Sequence, residues 1–162
     1  MYIVPIIIGS KSDMEYAIRA KKKLEKLGIE GVIRIASAHK STEHLLKILE
    51  IYEKSENVKV YITIAGLSNS LSAVVDSNVT EPVIACPVYS KSFNGVDIFS
   101  SLRMPSDVCP MVLLDIGNAA LAAAKILGVV DFGIRKKIIE IHDESSFKII
   151  KDDKIFSCEK ID

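Results

Sequence analysis

Two short segments carry residue types that could bind an anion and move a proton. Gly9-Ser10-Lys11-Ser12-Asp13 and Ala36-Ser37-Ala38-His39-Lys40-Ser41 each follow an apolar run and open a helix-like stretch. Gly9 and Ser10 would let backbone amides approach an anion at a helix N-terminus, and the Ser10 and Ser12 hydroxyls add donors. Asp13 is unsuited to a phosphate but suits a ribose diol, which needs an acceptor. Ser12 and Asp13 are also the residue types that simply cap helices. Histidine titrates near neutrality, so His39 could serve as general acid or base. Lys40 beside it could meet a phosphate as a point charge, or be an ordinary exposed lysine. Together they suit a phosphorylated small molecule and one proton transfer.

A third loop, Gly66-Leu67-Ser68-Asn69-Ser70, follows a third apolar run. Ser68 and Asn69 could hydrogen-bond a planar polar substrate or a small reactant, and Gly66 permits close backbone approach. An ordinary turn would use the same residues. His44 and His142 lack such a setting and read as structural or solvated. Cys86 ends an apolar run before Pro87, which fits core packing better than a nucleophile. Arg103, in a Ser-rich stretch, could contact substrate or another subunit.

The elements that must position these loops follow from periodicity. Tyr2–Ile8 reads as strand one, although Pro5 removes a ladder hydrogen bond there. Ser12 and Glu15 form a capping-box pattern ahead of a helical stripe of Met14, Ala17, Ile18, Leu24 and Leu27, closed by Gly28. Val32–Ala36 is strand two. Ser41 or Thr42 caps the next helix, whose apolar face is Leu45, Leu46, Ile48, Leu49 and Tyr52. Lys59–Ala65 is strand three, apolar on both faces as a covered parallel strand should be. Leu71–Val75 is a short helix, Pro82–Ala85 strand four, Met111–Leu114 strand five, and Asn118–Leu127 an Ala-rich helix ended by Gly128.

Alternating strands and helices predict an α/β fold: a three-layer, doubly wound parallel sheet of flavodoxin-like type. In such a sheet the loops at strand carboxyl ends gather at one edge, where ligands bind. Val88–Pro110 is long for a connection and so is expected to be functional or an interface. A helix from Ile134 to about Ile150 is appended after Asp131. The expectation is one domain, with a core of about residues 1–130 and a helical extension over 131–162.

Composition narrows the function classes. Lys+Arg and Asp+Glu are balanced at 21 each, and no basic stripe with interleaved aromatics suggests nucleic acid. No apolar run approaches a membrane span of ~20 residues, and the N-terminus lacks a signal-peptide pattern. Cys86, Cys109 and Cys158 are too few and too scattered for a disulfide framework or metal site, so free thiols in the cytoplasm are expected.

The series Gly9-Ser10-Lys11-Ser12-Asp13, Ser37-Ala38-His39-Lys40 and Ala65-Gly66 closely resembles the purine-biosynthesis family of aminoimidazole ribonucleotide carboxylases and carboxyaminoimidazole ribonucleotide mutases (PurE). The resemblance runs from about Ile3 to Gly128. The mutase branch typically carries Ser-Ala-His-Arg and a later Ala-His-Leu-Pro-Gly. Here Lys40 stands in place of that Arg, and Gly66 is followed by Leu67-Ser68-Asn69. This looks like the direct-carboxylase branch, whose loop commonly reads Ala-Gly-Arg-Ser-Asn, with Leu67 replacing the Arg. The segment Asp97–Ser106 resembles that branch too.

The resemblance implies that Ser10, Ser37 and Lys40 hold the ribonucleotide phosphate and Asp13 accepts from the ribose hydroxyls. His39 would move the proton at the imidazole carbon, while Ser68 and the backbone at Gly66 line a pocket for carbon dioxide or carboxylate. The implied activity is direct carboxylation of aminoimidazole ribonucleotide without biotin, metal or ATP. A homo-tetramer or homo-octamer is implied as well. The alternatives are the mutase and a non-catalytic flavodoxin-like binding module.

Overall fold

The period-two pattern of the first apolar run decides how the layers assemble. In the computed structural model, which describes residues 2–57 and 59–157, β1 (Ile3–Ile8) is buried on both faces. Val4, Ile6 and Ile8 point into one core, and Ile7 into the other. Burying each such side chain stabilises the fold by about 1.5–3 kcal/mol. Around β1 lie β2 (Glu30–Ile35), β3 (Tyr61–Gly66), β4 (Val83–Val88) and the short edge strand β5 (Met111–Val112). All pair in parallel, in the order β2-β1-β3-β4-β5.

Helices cover both faces, giving the three-layer, doubly wound α/β fold that the sequence predicts. On one side α1 (Met14–Lys26), α5 (Ile116–Leu127) and the start of α6 (Phe132–Ser157) pack through Ala17, Ala20, Leu24, Ala120, Ala124, Ile134 and Ile138. On the other, α2 (Thr42–Glu53) contributes Leu45, Ile48 and Leu49, and α3 (Ser70–Asp76) contributes Leu71 and Val75. Between β4 and β5 the chain makes short 3-10 turns and the four-residue α4 (Phe99–Leu102). The appended helix is longer than the predicted Ile134–Ile150. It leaves Phe147, Ile149, Ile150, Ile155 and Phe156 exposed. Cys158 lies outside the described residues.

Two prolines sit inside strands, and the sheet tolerates both for one reason. Backbone bonds from Ile3 to Asn57 and from Gly9 to Ile64 show that odd-numbered β1 residues point toward β3. Pairing with β3 begins only at Ile6, so the N–H that Pro5 lacks falls in the gap between the Ile3–Asn57 bond and the start of the ladder. Strand four runs through Cys86 and Pro87 rather than ending before them. The Ala85 carbonyl points to β5, and so does the Pro87 nitrogen, two residues on and past the end of that two-residue strand.

The helix starts differ in part from those predicted. Ser12 does not cap α1. Ser10 accepts from the Ser12 N–H at 3.3 Å and starts a 3-10 turn over Lys11–Asp13, after which α1 begins at Met14. Ser41 holds the N-cap position of α2, as predicted, but makes no side-chain capping bond, because the Ser41 and Thr42 hydroxyls reach back to the Ser37 and Ala38 carbonyls. Asp115, unremarked in the sequence, caps α5 by accepting from the Asn118 N–H at 2.8 Å. Gly28 closes α1 as predicted, with φ of 78°.

Gly66 ends β3 where a Cβ would stand 2.8 Å from the Val88 carbonyl oxygen. That neighbour is backbone and cannot swing aside. Gly66→Ala is expected to destabilise the fold by roughly 1–3 kcal/mol in urea denaturation. An unchanged midpoint would show that β4 yields at no cost.

Candidate active site

From β1 the chain crosses to β2, on one side; from β3 it proceeds to β4 and β5, on the other. The connections therefore diverge between β1 and β3, and a crevice opens at their carboxyl ends. A cavity of about 480 Å³ occupies this point. That volume suits a nucleotide-sized ligand.

Each wall comes from one predicted loop. After β1, Gly9, Ser10, Ser12 and Asp13 line the cavity; after β2, Ser37, Ala38, His39 and Lys40; after β3, Ala65, Gly66, Leu67 and Ser68. A fourth contribution comes from Tyr89 and Ser90, just past β4. Tyr89 was missed in the sequence, although its place after a strand carboxyl end was the signal that found the other loops. Asn69 is not part of the lining. It is 3% exposed, beneath the loop, and its amide is spent on protein.

The turn that carries His39 is closed from within. The Ser41 N–H donates to the Ser37 carbonyl at 3.0 Å, and the Ser41 hydroxyl accepts from the Ser37 N–H at 2.9 Å. The Ser37 hydroxyl accepts from the Lys40 N–H at 3.2 Å. His39 and Lys40 stand exposed at the tip. The His39 Nε2 lies 2.9 Å from the Ser70 hydroxyl, at the start of α3.

The loop after β3 is held from the long β4–β5 connection. The Leu67 N–H donates to the Asp97 carboxylate, and the Leu67 carbonyl accepts from the Ser100 hydroxyl, both at 3.0 Å. Leu67 adopts φ of 59°, which costs a non-glycine residue roughly 1–3 kcal/mol. A hydrogen bond to a charged group contributes ~1.5–3 kcal/mol, enough to offset it. Asn69 donates from its N–H to the Ser100 hydroxyl at 3.0 Å and from its side chain to the Ser101 hydroxyl at 2.9 Å. Its Oδ1 accepts from the Ser72 N–H at 3.3 Å, capping α3.

Asp13 is the carboxylate of the cavity. Burial raises its pKa above the ordinary aspartate value, against hydrogen bonds from Ser12 and the Ser10 backbone. Cys86 is buried, and desolvation pushes its thiol up to about 11, with the Asp115 charge adding to the effect. A thiol so far from ionising is a core residue, as its position suggested. His44 and His142 are exposed, away from the cavity lining. Among the described residues, no cluster of His, Cys, Asp and Glu could hold a metal, and no helix is long and apolar enough to cross a membrane.

Over nearly its whole length the chain is similar to purine-biosynthesis proteins. A phosphoribosylaminoimidazole carboxylase of Archaeoglobus fulgidus is 50% identical over 91% of this chain and 81% of its own. One from Treponema denticola is 47% identical, over 93% and 95%. An N5-carboxyaminoimidazole ribonucleotide mutase of Methanocaldococcus jannaschii is 39% identical, over 93% and 95%. The crystal structure of Treponema denticola PurE superposes with a TM-score of 0.94 at 44% identity, covering 99% of this chain and all of that one. The AIR carboxylase family matches residues 3–148, and the chain belongs to that family.

Proposed function

We propose that this protein carboxylates 5-aminoimidazole ribonucleotide with carbon dioxide, reversibly, giving the 4-carboxy product in purine biosynthesis. The observation that carries the reading is the meeting of three loops in one cavity. Ser10, Ser37 and Lys40 suit a phosphate, Asp13 a ribose, and His39 lines the same cavity and meets Ser70, two residues after Ser68. The two relatives named as carboxylases, at 50% and 47% identity, support it further.

The aminoimidazole is an enamine, so its ring carbon is the nucleophile. That carbon attacks carbon dioxide; one C–C bond forms, and a C=O π pair becomes carboxylate. The resulting tetrahedral carbon bears both hydrogen and carboxylate. His39 takes that proton, the C–H pair restores the aromatic ring, and the proton passes to solvent. Ser68 and the backbone at Gly66 hold the new carboxylate. The remaining work of the protein is positioning, and excluding water from a weak electrophile.

The mutase is the second reading, because a relative at 39% identity bears that name. Lys40 and the Leu67-Ser68-Asn69 loop favour the carboxylase. The same reading puts the activity in the cytoplasm, which the three widely spaced cysteines support. The exposed apolar residues of α6 support self-association as a homo-tetramer or homo-octamer.

Purified protein should convert aminoimidazole ribonucleotide only when bicarbonate or carbon dioxide is supplied. Turnover confined to the N-carboxylated substrate would assign the mutase instead. His39→Asn should lower kcat by about 100-fold or more while leaving the fold intact. Near-normal turnover in that variant would remove His39 from the proton transfer.

Asp13 gives the pH dependence of binding. The ribose hydroxyls donate to its ionised form, and burial raises the pH at which that form is lost. As pH falls through this raised pKa, Asp13 takes a proton and KM should rise. Asp13→Asn should show a high KM that stays flat across the same acid window. A wild-type KM equally flat there would place the ribose elsewhere.

A further inference from the structure

The geometry points to Ser70 as a positioning residue that holds the proton of neutral His39 on Nε2, leaving Nδ1 as the base. The inference rests on the carboxylase reading for its catalytic meaning, but the pairing itself stands on the structure.

The Ser70 Oγ lies 2.9 Å from the His39 Nε2, and no hydrogen bond is made by Nδ1 among the described residues. In a neutral imidazole one nitrogen donates and the other accepts. A hydroxyl can meet Nε2 in either direction, but an imidazolium only donates, so Oγ as acceptor is the one arrangement that holds both before and after protonation. With the Ser70 oxygen accepting from Nε2–H, the lone pair sits on Nδ1. After proton capture the imidazolium still donates Nε2–H to the same oxygen. The bond therefore survives the step, and the ring need not turn.

Ser70 is the better-anchored partner. It is the first residue of α3, and its N–H donates to the Ser68 carbonyl at 3.0 Å. Its neighbour Asn69 is buried and tied to Ser72, Ser100 and Ser101. His39 is exposed at the tip of its turn. The well-held hydroxyl thus orients the ring. It also ties the β2 loop to the β3 loop, which carries Ser68. The other titratable side chains lining the cavity are Asp13 after β1, Lys40 on the same turn, and Tyr89 after β4.

The test compares wild type, Ser70→Ala and Ser70→Thr. The first readout is the imidazole nitrogen NMR spectrum of the free protein, which needs no turnover. Wild type should show Nδ1 unprotonated and Nε2 protonated in neutral His39. Ser70→Ala should give a tautomer mixture, and Ser70→Thr the wild-type pattern. The second readout is kinetic. Ser70→Ala should lower kcat roughly tenfold, less than the loss of the imidazole itself, with KM within twofold. Its kcat–pH profile should shift, and Ser70→Thr should restore both. An unchanged His39 spectrum in Ser70→Ala, or a kcat within twofold of wild type, would overturn the inference. If wild type has no turnover, the carboxylase reading fails, and the NMR comparison alone decides the pairing.

Discussion

The divergence of the chain between β1 and β3 is the constraint on which the site depends. A parallel sheet needs a crossover between successive strands, and right-handed crossovers wound in two directions must part somewhere. Here they part between β1 and β3. Their carboxyl ends then lack a covering connection, and the cavity is what remains. The buried alternation of Val4, Ile6, Ile7 and Ile8 fixes the register of β1, so Gly9 must emerge at that edge. A one-residue slip would turn every one of these side chains to the opposite face.

The cavity walls differ in how they are held. The turn bearing His39 and Lys40 is closed by local bonds among Ser37, Ala38, Ser41 and Thr42. The β3 loop instead leans on residues some thirty positions away: Asp97, Ser100 and Ser101 fix Leu67 and Asn69 from the β4–β5 connection. This connection therefore shapes one wall of the cavity while lining it only through Tyr89 and Ser90. It explains how Leu67 sustains a left-handed backbone, 55% exposed at the rim, without glycine. The Leu67 main chain makes these contacts, so the side chain that replaces the usual Arg is not needed for them.

What was legible in the sequence shares one property: it is local. The three loops were found because each follows an apolar strand, and Gly66 because close approach needs glycine. The cap of α1 was misassigned because Ser10 and Ser12 are alternative capping residues two positions apart. A 3-10 turn, which no periodicity announces, decided between them. Pro5 looked like a conflict because sequence does not say which side of a strand is paired. Asn69 was grouped with Ser68 as a contact residue, yet it faces inward. The hydroxyls that claim it, on Ser100 and Ser101, lie far along the chain. The Ser70–His39 bond escaped for the same reason, joining two loops 31 residues apart.

The most direct measurement is a crystal structure of the protein with 4-carboxy-5-aminoimidazole ribonucleotide bound. On the proposed reading the phosphate should lie at Ser10, Ser37 and Lys40 and the ribose hydroxyls on Asp13. The carboxylate should meet Ser68 and the Gly66 backbone, with the carbon that bears it facing His39. A nucleotide bound outside the β1–β3 crevice, or reversed within it so that the phosphate meets the Ser68 loop, would contradict the account.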